Sequence, residues 1–189
     1  MAKLKQSHRQ ILPCKITRIV VRRRALTDGA HLARLHVGPT TLLAAIGKAG
    51  LSQLKREGDG ATPTGEFLLR PGLFRSDRMS RPFSLTRLRP TSPAMGWCDD
   101  PESFLYNHPL RAGSRQRHER LWREDAVYDL LIPTSHNQRP RIRGGGSAIF
   151  VHLARPGYAP TEGCVAIKGA DMRRLLPRLG KATRLIVVA

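Results

Sequence analysis

Aromatic side chains are scarce, with Phe, Trp and Tyr together making 5% of the 189 residues. Proteins that grip single-stranded nucleic acid stack bases on aromatic rings, so this scarcity argues against that class. Long apolar runs are missing as well. No stretch approaches the ~18 consecutive apolar residues of a membrane span. The first thirty residues, MAKLKQSHRQILPCKITRIVVRRRALTDGA, hold no apolar core of the ~7–15 residues a secretion signal needs. The triplet Arg22-Arg23-Arg24 is not followed by an apolar segment. Read on its own, the chain is expected in the cytoplasm. Cysteine is rare too. Cys14, Cys98 and Cys164 are an odd number, so no complete disulfide framework is implied. No CxxC pair or Cys/His spacing suggests zinc, and no metal or cofactor is expected.

Acidic residues are few, 14 against 33 Lys and Arg, for a net charge of +19. Such a surface favours polyanions: nucleic acid, anionic lipid headgroups, or a carboxylate-rich polymer such as a cell wall. The basic residues are spread along the chain, which makes the charge a general surface property before it is a site.

What is present reads as strands. KITRIVV (15–21) is rich in β-branched residues, and ARLHVG (33–38) alternates before the turn signal Gly38-Pro39. TTLLAAIGKAG (40–50) could be strand or helix; its small residues and closing glycines permit a strand, a turn and another strand. EFLLR (66–70), AVYDLLIP (126–133), SAIFVHLA (147–154) and TRLIVVA (183–189) are further strands. The stretch 87–120 is irregular and too long for an idle connector, which suggests a functional surface loop. GADMRRLLPRL (169–179) is the one clear helix, with Met172, Leu175, Leu176 and Leu179 at helical spacing. The expectation is one mainly β domain over 15–189, a sandwich or partly closed barrel with one or two helices, after an N-terminal extension 1–14.

One short stretch carries chemistry. In APTEGCVA (159–166), Cys164 follows a glycine, and it comes twelve residues after His152 in the apolar run SAIFVHLA. A thiol with an ordinary pKa near ~8.5 needs a base or a positive field to become a nucleophile. His152 is the candidate base, held by a strand. Gly163 lets a substrate carbonyl approach the backbone, and the amides of Gly163 and Cys164 are candidate oxyanion donors. A position at the head of a helix would lower the thiol's pKa. Pro156, Gly157 and Pro160 stiffen the loop that would bring thiol and imidazole together. The alternative is a small core cysteine and an interior histidine with no chemistry.

The stretch resembles the L,D-transpeptidase catalytic domain, also called YkuD. That family carries a histidine, a spacer and then Ser/Thr-His-Gly-Cys. Here the matching residues are His152 and Thr161-Glu162-Gly163-Cys164-Val165-Ala166. Upstream, Thr62-Pro63-Thr64-Gly65-Glu66-Phe67 resembles the family's Thr-Pro-x-Gly-x-Phe hairpin. The chain departs from the pattern in a shorter spacer, in Glu162 for the motif histidine and in Ala166 for the usual Asn or Arg. With GWCDDP (96–101) and LYNHP (105–109), it looks like a divergent branch found in Gram-negative bacteria. The resemblance implies a β fold of that type and a cysteine acyltransferase acting on peptidoglycan stem peptides. Cross-links, or L,D-carboxypeptidase hydrolysis, would be the outcome. It also implies carbapenem-type inhibitors, no nucleic-acid partner, a monomer and an envelope location, in contrast to the missing signal. The family's third triad member is a backbone carbonyl beside the histidine, which implies Leu153.

Substrate contacts are expected from Arg155, Tyr158, Thr161, Glu162, Trp97, Asp99, Tyr106 and Asn107. Arg155 could clamp a carboxylate. Glu162 could stabilise an imidazolium or bind an acceptor amine; by repulsion it could instead raise the thiol's pKa. Trp97 could equally anchor its loop. His136 is a second candidate base, with His108 and His118 behind it. Cys98, beside two aspartates, is a poor nucleophile, and Cys14 is expected to be inert. Two non-catalytic readings stand beside the enzyme: a basic polyanion-binding module, and a wall-binding domain of the same fold that has lost activity.

Overall fold

The computed structural model describes residues 15–24, 29–110 and 113–189. Cys14 and the extension 1–14 lie outside the described residues. Fifteen strands and one helix follow in the order β1 (Ile16–Arg23), β2 (Leu32–Val37), β3 (Thr40–Ala45), β4 (Leu51–Ser52), β5 (Thr62–Pro63), β6 (Gly65–Leu68), β7 (Gly72–Phe74), β8 (Leu88–Pro90), β9 (Gly96–Cys98), β10 (Pro109–Leu110), β11 (His118–Arg120), β12 (Leu130–Pro133), β13 (Phe150–Leu153), β14 (Val165–Ile167), α1 (Gly169–Leu175) and β15 (Leu179–Val188). Ten strands form one curled half-barrel sheet in the order β6-β15-β1-β2-β3-β14-β13-β12-β7-β8. A three-stranded sheet, β10-β9-β11, and a short pair, β4-β5, complete it. The mainly β architecture expected from sequence is the one observed.

The β-branched stretches make the central strands because their side chains pack on a pleated, half-buried surface. β1 alternates, burying Ile16, Ile19 and Val21, and runs parallel to β15, where Leu185 and Val187 are buried. These residues pack with Leu35, Val37, Met172, Leu175, Leu176 and Leu179 in the main core. Helix α1 covers one face of the sheet with Met172 and Leu175 and ends at Leu175, short of the expected 169–179; Leu176 follows in the next turn and Leu179 opens β15. Pro177 cannot continue an α-helix, and the chain tightens there into a single 3-10 turn (Leu176–Arg178).

Two segments differ from expectation. The strand expected over 126–133 is only Leu130–Pro133, because Ala126 takes φ +60° and Asp129 N–H donates to its carbonyl in a turn. The stretch 87–120 is largely irregular, as expected, but it is built into the fold: it contributes β8 to the large sheet and all of the small one. Its strands of two or three residues are too short for alternation to show.

The period of two decides what faces the site. Along β13, Val151 joins the main core while Phe150 turns to the other side. There Phe150 packs with Leu73, Trp97, Leu121, Val127, Tyr128, Leu131 and Cys164. His152 follows Phe150 by two, so it shares that side. β14 runs parallel to β13 with Val151 opposite Val165 and His152 opposite Ala166. Cys164 thus stands at the head of the strand beside the histidine's own strand.

Candidate active site

Cys164 and His152 line one cavity of about 410 Å³. Its walls also include Asp99, Glu119, Arg123, Tyr128 and Glu162. The Cys164 thiol donates to the Ala148 carbonyl at 3.2 Å, and the sulfur accepts from the Phe150 N–H at 3.3 Å. The His152 Nδ1 lies 2.9 Å from the Leu153 carbonyl oxygen. A carbonyl only accepts, so Nδ1 carries the proton and Nε2 keeps its lone pair. The orientation expected of Leu153 is present, and it leaves the ring in the tautomer a base requires. Tyr128 meets the imidazole edge-on, 5.2 Å between centroids, and the Arg123 guanidinium lies 5.2 Å from the Tyr128 ring. Ala166, opposite His152, replaces a larger residue of the family pattern with a methyl group beside the imidazole.

The sequence placed Cys164 at the head of a helix, and the structure corrects this. β14 intervenes, and α1 begins only at Gly169. No helix terminus lowers the thiol's pKa. Burial pushes it up to about 12, against the opposing pull of the Phe150 N–H. Burial also pushes His152 down to about 4, although the Leu153 carbonyl favours the protonated ring. The resting pair is therefore neutral thiol and neutral imidazole. At pH 7 almost none of the thiol would be ionised. Thiolate is the species that alkylates. Iodoacetamide should therefore modify Cys164 slowly at pH 7, about tenfold faster per pH unit up to at least pH 10. Mass-spectrometric rates that level off near pH 8 would show an activated thiolate instead.

The loop before Cys164 is built by hydroxyls and a glycine. Thr161 Oγ1 donates to the Cys164 carbonyl at 2.7 Å, and Thr62 Oγ1 reaches the same oxygen at 3.3 Å. Gly47 N–H donates to Thr62 Oγ1 at 2.8 Å. Thr161 is tied to the sheet through Ile46 and Lys48 backbone bonds. Gly163 adopts φ +134°, and a Cβ there would lie 2.8 Å from the Ala61 carbonyl. Its N–H donates to Thr161 Oγ1 at 3.1 Å, so service as an oxyanion donor requires that hydroxyl to turn away.

Of the expected substrate contacts, Asp99, Arg155, Thr161 and Glu162 line the cavity. Arg155 is braced by Asp125 at 3.0 Å, and Glu162 pairs with Lys48 at 2.8 Å across the rim. The Glu162 carboxylate is thus turned to an ammonium and not to the imidazole. Trp97, Tyr106, Asn107 and Tyr158 do not line this cavity. Trp97 Nε1–H donates to Asn107 Oδ1 at 2.8 Å, and Tyr106 donates to Glu57 at 2.5 Å. Asn107 Oδ1 also accepts from Ala148 N–H at 3.2 Å, fixing the peptide that holds the thiol. All three are buried, folded inward with the small sheet. Tyr158 sits half-buried at φ +56° in the 3-10 turn Pro156–Tyr158. His136 faces the Gly145 carbonyl at 3.0 Å and lies outside the cavity lining, as do His108 and His118. Cys98 is buried near Gln116.

Tyr128, Glu119 and Thr62 were not foreseen as site residues. Tyr128 lies in the expected strand 126–133 and Glu119 in the irregular stretch 87–120, and neither position had a motif to mark it. Thr62 did stand in a recognised motif, TPTGEF, whose threonine reaches the Cys164 carbonyl.

A curled β sheet that brings a cysteine and a correctly oriented histidine to one cavity defines the class. The chain belongs to the L,D-transpeptidase catalytic domain family, YkuD, whose model matches residues 18–187. Among solved structures, Bd1075 of Bdellovibrio bacteriovorus is similar with a TM-score of 0.44 and 16% identity, over 92% of this chain and 48% of that one. The chain thus spans about half the length of that protein. No curated protein matches it.

Proposed function

We propose that the protein is a cysteine L,D-transpeptidase of peptidoglycan stem peptides, working in the cell envelope as a monomer. The observation that carries this is the His152 tautomer: Nδ1–H on the Leu153 carbonyl and a free Nε2, in the cavity that holds the Cys164 thiol. In the proposed cycle, Nε2 takes the thiol proton as sulfur attacks the carbonyl of an L-centre. The C–N bond to the D-residue breaks, the imidazolium returns the proton to the leaving amine, and a thioester remains. An acceptor amine then forms the new amide and releases the thiol. Water in its place gives L,D-carboxypeptidase hydrolysis. The neutral resting pair means proton transfer accompanies attack, so the substrate-filled, water-free site supplies the activation.

Sacculi incubated with the protein should yield cross-linked or shortened stems by mass spectrometry, with Cys164→Ala as the blank. A carbapenem should leave a covalent adduct on Cys164. Sacculi and thiol both left unaltered would favour the inactive wall-binding reading.

Glu162 is proposed to receive the acceptor's ammonium, exchanging it for Lys48. The pair is exposed on both sides, so breaking it should cost little stability. Glu162→Gln should raise the acceptor KM about threefold to tenfold at unchanged Tm and unchanged acylation rate. Unchanged turnover at all acceptor concentrations would remove Glu162 from the reaction.

A further inference from the structure

A second cavity, of about 510 Å³, opens where the large sheet's free edge meets the small sheet. Neither the family resemblance nor the acyl-transfer cycle uses it. Arg70 enters from the turn between β6 and β7, Arg89 from the edge strand β8, and Arg139 from the loop after β12. Leu73, Met95, Trp97 and the prolines 71, 109 and 133 supply an apolar floor. Among the described residues, no carboxylate lines the cavity. Arg70 Nε is held by Gln138 at 3.0 Å, a neutral partner that orients the guanidinium without cancelling its charge. Among the described residues, none of the three arginines makes an ion pair with an acidic side chain, whereas Arg75, Arg78, Arg117, Arg123 and Arg155 all do. His108 completes the rim, and burial and then the Arg141 charge hold it toward its neutral form.

Three uncompensated guanidiniums around an apolar floor have a definite complement. Each guanidinium offers a planar fork of N–H donors that matches a carboxylate or phosphate. Placed together without an acid they repel, and an anion removes that repulsion. The indole and proline surfaces add apolar area that an inorganic anion would leave wet. We infer that this seam is a binding site for an organic anion, a carboxylate or phosphate carried on an apolar group. The site is separate from the cysteine cavity and shares one wall with its supporting shell. Trp97 lines the seam and packs edge-on against Phe150, centroids 5.1 Å apart, on the side where the cluster holds Cys164.

The two tryptophans make the test residue-specific. Trp97 lines the seam, while Trp122 lies elsewhere, under the Arg75 guanidinium. The full chain is titrated with phenyl phosphate and, separately, with phenylacetate, following both indole N–H signals by NMR and Kd by calorimetry. Trp97→Phe assigns the signals. At least one of the two anions should move the Trp97 signal saturably and leave that of Trp122 in place. The tighter one identifies the head group. Phenol and inorganic phosphate, each half of the ligand alone, should bind at least tenfold more weakly. The double variant Arg89→Ala/Arg139→Ala changes exposed side chains only and should keep the wild-type Tm while weakening binding at least tenfold. No saturable Trp97 shift with either anion, equal binding of inorganic phosphate, or an unchanged Kd in the double variant would each overturn the site.

Discussion

His152→Gln should lower the rate of Cys164 acylation by 10²- to 10⁴-fold, and Cys164→Ala should abolish covalent capture entirely. The range is what a positioned proton acceptor supplies in acyl transfer. It falls at the upper end here for a reason visible in the site. A thiol with a depressed pKa would already be ionised and would lose little with its histidine. This thiol is pushed up to about 12 by burial, so its proton must be removed during attack. Water reaches the sulfur poorly, and the Ala148 carbonyl, which accepts the thiol proton at rest, cannot take it away. Glutamine fills most of the imidazole's volume beside Tyr128, which separates loss of the base from loss of packing. Stopped-flow acylation by a carbapenem, from pH 6 to 10, measures it. The variant should recover part of its rate as pH rises and thiolate forms unaided. A His152→Gln rate within threefold of wild type at pH 7 would assign the proton to another acceptor.

The proposed nucleophile and base were legible in the sequence, and the means by which they are set were not. His152 and Cys164 announce themselves by residue type, by Gly163 and by an apolar strand context. The apolar run 147–154 was enough to place His152 on a strand; that Phe150 shares its face emerged only from the fold. The helix-terminus expectation for Cys164 failed because VAI is three residues long. In one dimension it reads as the entry to α1, and only its pairing with β3 and β13 makes it a strand. Trp97, Tyr106 and Asn107 were expected to meet substrate because polar and aromatic residues in a long irregular stretch suggest a binding loop. They turn inward because β9 pairs with β10 and β11, and pairing between strands of two or three residues leaves no periodic trace. Thr161 reaches the Cys164 carbonyl from within its own motif, whereas Thr62 comes to the same oxygen from about 100 residues away, a convergence fixed by sheet order, which no local pattern encodes.

Gly163→Ala should lower stability by about 2–6 kcal/mol and acylation by at least 10²-fold. Two costs add. At φ +134° an L-residue is strained by about 1–3 kcal/mol. The new methyl would also stand 2.8 Å from the Ala61 carbonyl oxygen, and forcing a group into packed structure costs about 1–3 kcal/mol more. The carbonyl has little freedom to retreat. Ala61 N–H donates to Asp59 at 2.9 Å, and the neighbouring Gly60 carbonyl and Thr62 N–H are bonded to Ala49 and Gly50. Relief must come from the 161–164 loop, which would drag the Cys164 carbonyl off the Thr161 and Thr62 hydroxyls and shift the sulfur against Nε2. Gly157 separates the two costs. It lies in the same connection at φ +69°, but a Cβ there meets nothing within 4 Å. Gly157→Ala should therefore cost about 1 kcal/mol and leave acylation within about threefold of wild type. Urea unfolding at pH 7, paired with carbapenem acylation of each folded variant, measures both. Equal losses in the two variants would mean that backbone strain alone is at work and that Ala61 does not hold the cysteine loop in place.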